Sequence, residues 1–407
     1  MPASNIDFSV ITEVIHFSIM PNADGTLNTN GEGLTPAYTT DLVARAHAAL
    51  RPALICVGGS YATNFQSAVS NAYLSSFVTH LTNFMAVGGY DGIDVDWEPL
   101  NYSDMTLFTN FVTNLRTALN GFSSHKLLTI AVPAGTTPSL VAAVQAEFDQ
   151  INLMTYDLSG PYSGWVTWYN APIYNAGLTF PSNQREYVPS IAGTVTNFLA
   201  GGIATNLLGI GTTFYGDVWQ GGAWTNGGPT QPYQSWTNAP TVTASTYTAL
   251  MASNFAPSQY HYDANAQAAY FSVTNAQPTN NMFISFNDPR ACAATATYAR
   301  NAGLGGMIIW ELTQDHQANK PDPLLQAIKQ VLQSPGNLAL QRNGQQVSMN
   351  FTSAPLGSYQ VQWSTNLTVW NPLLTTNVSL TWTGGVIQVT DSLTNQPDRV
   401  YRVKTPP

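Results

Sequence analysis

Charge is the scarcest commodity in this sequence. Only 9% of its 407 residues are Asp, Glu, Lys or Arg, and 13 basic side chains face 22 acidic ones. A formal net charge of -9 leaves no basic excess to neutralise phosphates, which excludes nucleic-acid binding as a main function. Cysteine is nearly absent. Cys56 and Cys292 are too few for a disulfide framework, and both sit among apolar neighbours, as small buried hydrophobes do. Long apolar runs are missing too. Stretches such as Met307–Trp310 fall far short of the roughly 20 residues that span a bilayer, so no membrane span is expected. Met1 is followed by Pro, Ala, Ser and Asn without a basic start or an apolar run, so no secretory leader is read there. No His, Cys and Asp spacing suggests a metal, and no G-x-G-x-x-G loop follows an early strand, so no cofactor is expected.

Apolar residues, by contrast, make up 44% of the chain, enough for a sizeable core. Its polar surface has to come from Asn, Thr, Ser and Gln, a composition common in secreted bacterial carbohydrate-active proteins, and an extracellular location is expected. Short apolar segments alternate with longer mixed ones. Candidate strands are Val10–Ile19, Ala53–Val57, Gly92–Trp97, Leu127–Val132, Gln150–Tyr156, Leu207–Phe214 and Gly306–Glu311. Between them lie helix-like stretches at Thr40–Leu50, Leu107–Leu119, Pro138–Glu147 and Pro323–Leu332. Strand–helix alternation with near-continuous apolar strands predicts an α/β fold on a parallel core. Ser334-Pro335-Gly336-Asn337 reads as a linker. Beyond it Val347, Met349 and Phe351 alternate, as do Tyr359, Val361 and Trp363, then Leu380 and Trp382. That period of two predicts a small all-β domain over residues 340–407, after a larger domain at 1–333 and a linker at 334–339. Residues 217–285 lack helical period and read as an insertion before the last strand.

The chemistry concentrates in Asp91-Gly92-Ile93-Asp94-Val95-Asp96-Trp97-Glu98. Side chains of a strand alternate faces, so Asp94, Asp96 and Glu98 share one face while Ile93, Val95 and Trp97 share the other. In a barrel the apolar set would pack on outer helices and the carboxylates would climb the interior toward the C-terminal rim, where barrel active sites lie. Like charges this close raise at least one pKa.

The segment resembles the D-G-x-D-x-D-x-E signature of family 18 glycoside hydrolases, the chitinases. Cys56-Val57-Gly58-Gly59 resembles the family's S-x-G-G strand, and Leu128 to Ala134 the strand ending A-V-P-A. Met154-Thr155-Tyr156-Asp157 resembles M-x-Y-D, Gly211 to Gly216 resembles G-x-x-F-Y-G, and Gly305 to Leu312 resembles the last strand. The resemblance covers residues 5–333 and implies a TIM (β/α)8-type barrel that hydrolyses β-1,4 bonds of chitin or chitooligosaccharides with retention. It makes Glu98 the general acid. The substrate's own acetamido oxygen attacks the anomeric carbon to give an oxazolinium ion. Asp96 would accept the acetamido N–H, Asp94 would share a proton with Asp96, and Tyr156 would donate to the acetamido oxygen. Asp157, Met154, Trp310, Tyr215, Trp219 and Phe17 are the expected substrate-binding residues, with Trp310 as the apolar floor.

Three departures from the family stand out. The barrel's first strand is missing, so seven candidate strands stand where eight are expected, and the C-terminal region or a partner chain would have to fill the gap. Cys56 replaces a Ser, and a thiol is a weak donor to Asp94. Asp217 stands where the family often has Arg. Two other functions remain open at this point: an endo-β-N-acetylglucosaminidase on N-glycans or peptidoglycan, and a chitin-binding lectin on the same scaffold. Retention of Glu98 favours the enzyme. In the C-terminal domain Trp363, Trp370, Trp382 and Tyr401 are candidates for a sugar-binding face.

Overall fold

A computed structural model describes the chain except residues 32–33, 61, 225–226, 318–321, 334–335, 353–357, 378–385, 394–398 and 405–407. It divides into two compact units, Met1–Gln326 and Ala327–Pro407.

The first unit is a TIM (β/α)8-type barrel built on a parallel sheet. From one edge to the other its strands are Gly306–Trp310, Leu208–Thr213, Gln150–Met154, Leu127–Pro133, Gly92–Trp97, Ala53–Gly59 and Val14–Pro21. The short strand Leu27–Asn28 adds antiparallel to the end of the last of these. The segments expected from the sequence are these strands. The largest difference is at the first, which starts at Val14 and not Val10. Upstream, Asp7 bends the chain: its carbonyl accepts the Val10 N–H at 3.1 Å and its carboxylate takes the Ser9 hydroxyl at 2.5 Å. No strand pairing closes Val14–Pro21 onto Gly306–Trp310 among the described residues. The last strand is half-buried throughout, whereas Ala53–Gly59 and Gly92–Trp97 are buried at every position.

Outside the sheet, the apolar face of the carboxylate strand packs as its alternation demands. Ile93, Val95 and Trp97 join one core cluster with Phe65, Phe77, Phe108 and Phe111. Trp97 stacks on Phe65 with centroids 4.7 Å apart and only 8° between planes. The short helix Phe65–Ala68 supplies Phe65, and helices Leu74–Gly88 and Met105–Leu119 supply Phe77, Phe108 and Phe111. The strand's entry is fixed by Asp91, whose carboxylate meets the His47 ring at 2.7 Å and the Ala53 N–H at 3.0 Å. His16, on the first strand, is a satisfied core side chain, 2.7 Å from the Tyr90 hydroxyl.

Between the last two barrel strands lies a five-stranded antiparallel sheet in the order Thr241–Thr246, Tyr215–Gln220, Met282–Phe286, Ala268–Val273 and Tyr260–Asp263. It has its own core of Val166, Trp168, Phe180, Trp219 and Phe283.

The second unit holds two three-stranded antiparallel sheets around Met349, Phe351, Tyr359, Val361 and Val389. Its first strand starts at Gly336, inside the stretch read as linker, because Gly336 already pairs with Thr352. A guanidinium covers one face of each described tryptophan there: Arg399 lies 4.0 Å from Trp363, and Arg402 lies 4.0 Å from Trp370. The Tyr401 hydroxyl donates to Asp391 at 2.7 Å. Leu380 and Trp382 lie outside the described residues.

Candidate active site

Parallel register assembles the site row by row. Cys56, Asp94 and Thr129 are Cα partners on three adjacent strands, so their side chains enter the barrel at one level. Thr129 Oγ1 donates to Asp94 Oδ1 at 2.5 Å, and the Cys56 thiol bonds the same carboxyl. Burial pushes the Asp94 carboxyl up to about 6, and the two hydrogen bonds restrain the rise. The thiol is raised well above its usual range, by burial first and then by the charges of Asp94, Asp96 and Glu98.

One row higher, Gly58 partners Asp96. Gly58 has φ 115°, and a Cβ there would lie 2.0 Å from the Asp96 carbonyl oxygen, so this approach of the two strands needs glycine. The Asp96 and Glu98 side chains hydrogen-bond each other. Two carboxyl groups can do so only by sharing a proton. Burial raises the Glu98 carboxyl from its ordinary value, and raises Asp96 well above its own, with the Glu98 charge as the next cause. Asp96 Oδ1 is buried and has no hydrogen-bond partner among the described residues.

The third group comes from the end of Gln150–Met154. Met154, Tyr156, Ala131 and Ala171 form a small buried cluster against which Trp310 packs. Trp310 also meets Phe17 edge to face, centroids 4.6 Å apart at 81°. The Tyr156 ring lies over Gly211, where a Cβ would come within 2.5 Å of it. Its phenol is held well above the usual tyrosine range, by burial first and then by Asp96, Asp157 and Glu98. It therefore stays a proton donor across the accessible pH range. Asp157 is exposed, accepts the Tyr215 hydroxyl at 2.5 Å, and contributes to the raised Glu98.

The structure thus brings together Glu98, Asp96, Asp94, Tyr156, Asp157, Met154, Trp310, Tyr215 and Phe17. Trp219 is a correction. It shares a strand face with Tyr215 and Asp217, but it is fully buried in the insertion's core, 5.8 Å from Trp236, and cannot meet a substrate. The Trp168 ring is buried as well, its Nε1 donating to the Pro189 carbonyl at 2.8 Å. Four residues in the arrangement escaped the sequence reading: Thr129, Asn170, Ser285 and Glu13. Glu13 precedes the first strand, and burial followed by the charges of Asp94 and Asp149 pushes its carboxyl up to about 7. No group of three or more His, Cys, Asp or Glu among the described residues is placed to hold a metal.

The family model for glycosyl hydrolases family 18 matches residues 10–315, three quarters of the chain, and spans every one of these positions. The chain belongs to that family. Among curated relatives it is 27% identical to endochitinase 1 of Metarhizium robertsii, over 70% of this chain and 66% of that one. It is 27% identical to chitinase A1 of Niallia circulans, over 64% of this chain and 40% of that one. The chain therefore spans less than two thirds of the length of these family 18 relatives. Among solved structures, the group IV chitinase of Ostrinia furnacalis superposes with a TM-score of 0.70 at 20% identity, covering 82% of this chain and 95% of that one. That likeness shows the fold.

Proposed function

We propose that the protein is a chitinase that cleaves β-1,4 bonds between N-acetylglucosamine units by retaining, substrate-assisted catalysis. The observation that carries this reading is the Asp96–Glu98 pair: two raised carboxyls sharing a hydrogen bond beside a buried acceptor, Asp96 Oδ1, with no partner among the described residues. Glu98 is the half-buried member, and burial raises its carboxyl, the direction a general acid needs. It protonates the glycosidic oxygen. Asp96 Oδ1 accepts the N–H of the sugar's acetamido group, and Tyr156 donates to the acetamido oxygen, aiming it at the anomeric carbon. The C–O bond to the leaving sugar breaks as the acetamido oxygen bonds to carbon. Water then opens the oxazolinium ion, and Glu98 takes the proton from that water. Asp94 stabilises the pair from below and shares its proton when Asp96 turns toward it. Trp310, Phe17 and Met154 form the apolar floor. Asp157 and Tyr215 fix the sugar.

Names of the relatives support the substrate: the curated ones are chitinases, and the Ostrinia enzyme has also been crystallised with allosamidin. A polymer substrate and a surface poor in charge fit an enzyme that works outside the cell, in keeping with secreted bacterial proteins of similar composition. No described helix is long and apolar enough to cross a membrane. Among the described residues no strand joins Val14–Pro21 to Gly306–Trp310, and this gap is where a partner chain's strand would add.

Time-resolved product analysis on a soluble N-acetylglucosamine hexamer, wild type against Glu98→Gln, tests this reading. The expected result is short oligomers with the β anomer in early excess, abolished by the substitution. Tight hexamer binding without turnover in the wild type would refute it in favour of a lectin. Release of N-glycans in place of hexamer cleavage would refute it in favour of an endo-β-N-acetylglucosaminidase.

A further inference from the structure

Asp157 occupies a backbone region that side chains rarely adopt, with φ 53°. The side chain that engages it on both sides is Asn170. Asn170 is 1% exposed. Its Oδ1 accepts the Asp157 N–H at 3.4 Å, while its Nδ2 donates to Asp157 Oδ1 at 3.1 Å and to Asp217 Oδ2 at 2.9 Å. Its own backbone N–H donates to Ser285 Oγ at 2.8 Å, and its carbonyl accepts the Leu158 N–H at 3.0 Å. Every polar atom of the residue is engaged. One end grips the loop that carries Asp157, and the other is fastened to the insertion sheet.

A carboxamide suits this place, because it offers one acceptor and two donors from a single rigid plane. The opposite ends of that plane serve an N–H and two carboxylates. Position 217 matters for the same reason. An arginine there would meet Asp157 with a positive charge. The aspartate of this chain meets it with none, so among the described residues the Asp157 carboxylate is held by the neutral donors of Asn170 and Tyr215. No described ion pair reaches Asp157 or Asp217. Asp217 is flanked across its strand by Ser285 and Ala244, which carry no charge, and the titratable groups facing it are Asp157 and Tyr215. Burial pushes its carboxyl up to about 7, with the Asp157 charge adding to the rise and Asn170 opposing it.

We propose that Asn170 is a positioning residue for the cleavage reaction: it holds Asp157 in its left-handed conformation beside Glu98 and couples it to the ionisation of Asp217. The proposal rests on the reading of Glu98 as general acid. Below about 7 Asp217 is protonated and draws only weakly on the amide that it shares with Asp157. Above it Asp217 is charged and draws the Asn170 amide away from Asp157, which loosens beside Glu98.

The test is the pH dependence of kcat and KM on the hexamer for wild type, Asn170→Ala, Asp217→Asn, Ser285→Ala and Glu98→Gln. Asn170→Ala is expected to lower kcat about ten- to a hundredfold, the scale of a misplaced reacting group, with a smaller change in KM. Asp217→Asn keeps an acceptor for Asn170 and removes the charge, so turnover persists and the fall in kcat near pH 7 disappears. Ser285→Ala loosens Asn170 from the insertion without touching its amide. It lowers the melting temperature and leaves the pH profile as in wild type. A wild-type kcat in Asn170→Ala, or a fall near pH 7 that survives in Asp217→Asn, overturns the proposal. So does a Ser285→Ala profile that copies Asn170→Ala, since the role would then be structural. If Asn170→Ala does not fold, Asp217→Asn alone decides. Turnover surviving in Glu98→Gln would instead remove the acid assignment beneath it.

Discussion

Replacing Thr129 with Val takes one hydroxyl out of the barrel interior and leaves the side chain's volume nearly unchanged. That hydroxyl donates to Asp94 at 2.5 Å. The wild-type baseline has a definite sign. Asp94 titrates at 3.8 in the open chain and at about 6 in the fold, so its contribution is fully present below 3.8 and is withdrawn as pH rises to about 6. The gap corresponds to about 3 kcal/mol. In the fold, below about 6 the bond from Thr129 is one between neutral groups, worth about 0.5–1.5 kcal/mol, and above it the bond meets a carboxylate and is worth about 1.5–3 kcal/mol. Thr129→Val is therefore expected to cost about 1 kcal/mol at pH 4.5 and roughly twice that at pH 8. It should also displace the withdrawal of stability to higher pH, since burial then acts on Asp94 with only the Cys56 thiol opposing it. Urea unfolding at the two pH values, followed by tryptophan fluorescence, measures both effects. An equal loss at pH 4.5 and pH 8 would refute the argument, because the substitution would then be acting through packing and not through the charge of Asp94.

Other substitutions probe the neighbouring elements. Gly211→Ala puts a methyl 2.5 Å from the Tyr156 ring and is expected to cost about 1–3 kcal/mol of stability and to lower kcat more than it raises KM. A wild-type kcat would show that the ring's place over Gly211 is unimportant. Trp219→Ala empties the core of the insertion and is expected to cost about 3–5 kcal/mol in unfolding experiments. Hexamer KM should stay within about threefold in whatever fraction folds, a change of under 1 kcal/mol, and a larger rise in KM would return Trp219 to the binding surface.

How much of this was written in the order of residues follows from how far each contact reaches along the chain. The carboxylate strand was legible because a period of two fixes which side chains share a face, and Asp94, Asp96 and Glu98 needed no partner to be placed together. Thr129 was hidden inside an apolar run. Only the register of Gly92–Trp97 against Leu127–Pro133 sets its hydroxyl on Asp94. Asn170 sits in a stretch without periodicity, and its anchor at Ser285 is 115 residues away. Trp219 misled for a different reason. Its surroundings are rich in Gly, Asn and Pro, which read as loop, yet the strand that carries it is flanked on both sides by others of the insertion sheet. The late start of the first strand came from Asp7, whose turn claims residues that look apolar enough to extend it.

The two cysteines have a use beyond the site. Both thiols are buried and raised, and reagents attack the thiolate, so neither reacts until the chain around it opens. Cys56 is on a strand beside the carboxylates, while Cys292 is on the helix Pro289–Asn301, 4.0 Å from Thr212. They report on opposite halves of one sheet. The rates at which a small alkylating agent labels each, read by mass spectrometry, form two clocks within one molecule. Matching clocks would mean that the barrel opens as a single cooperative body. Unequal ones would identify the half that yields first, without a probe being added to the protein.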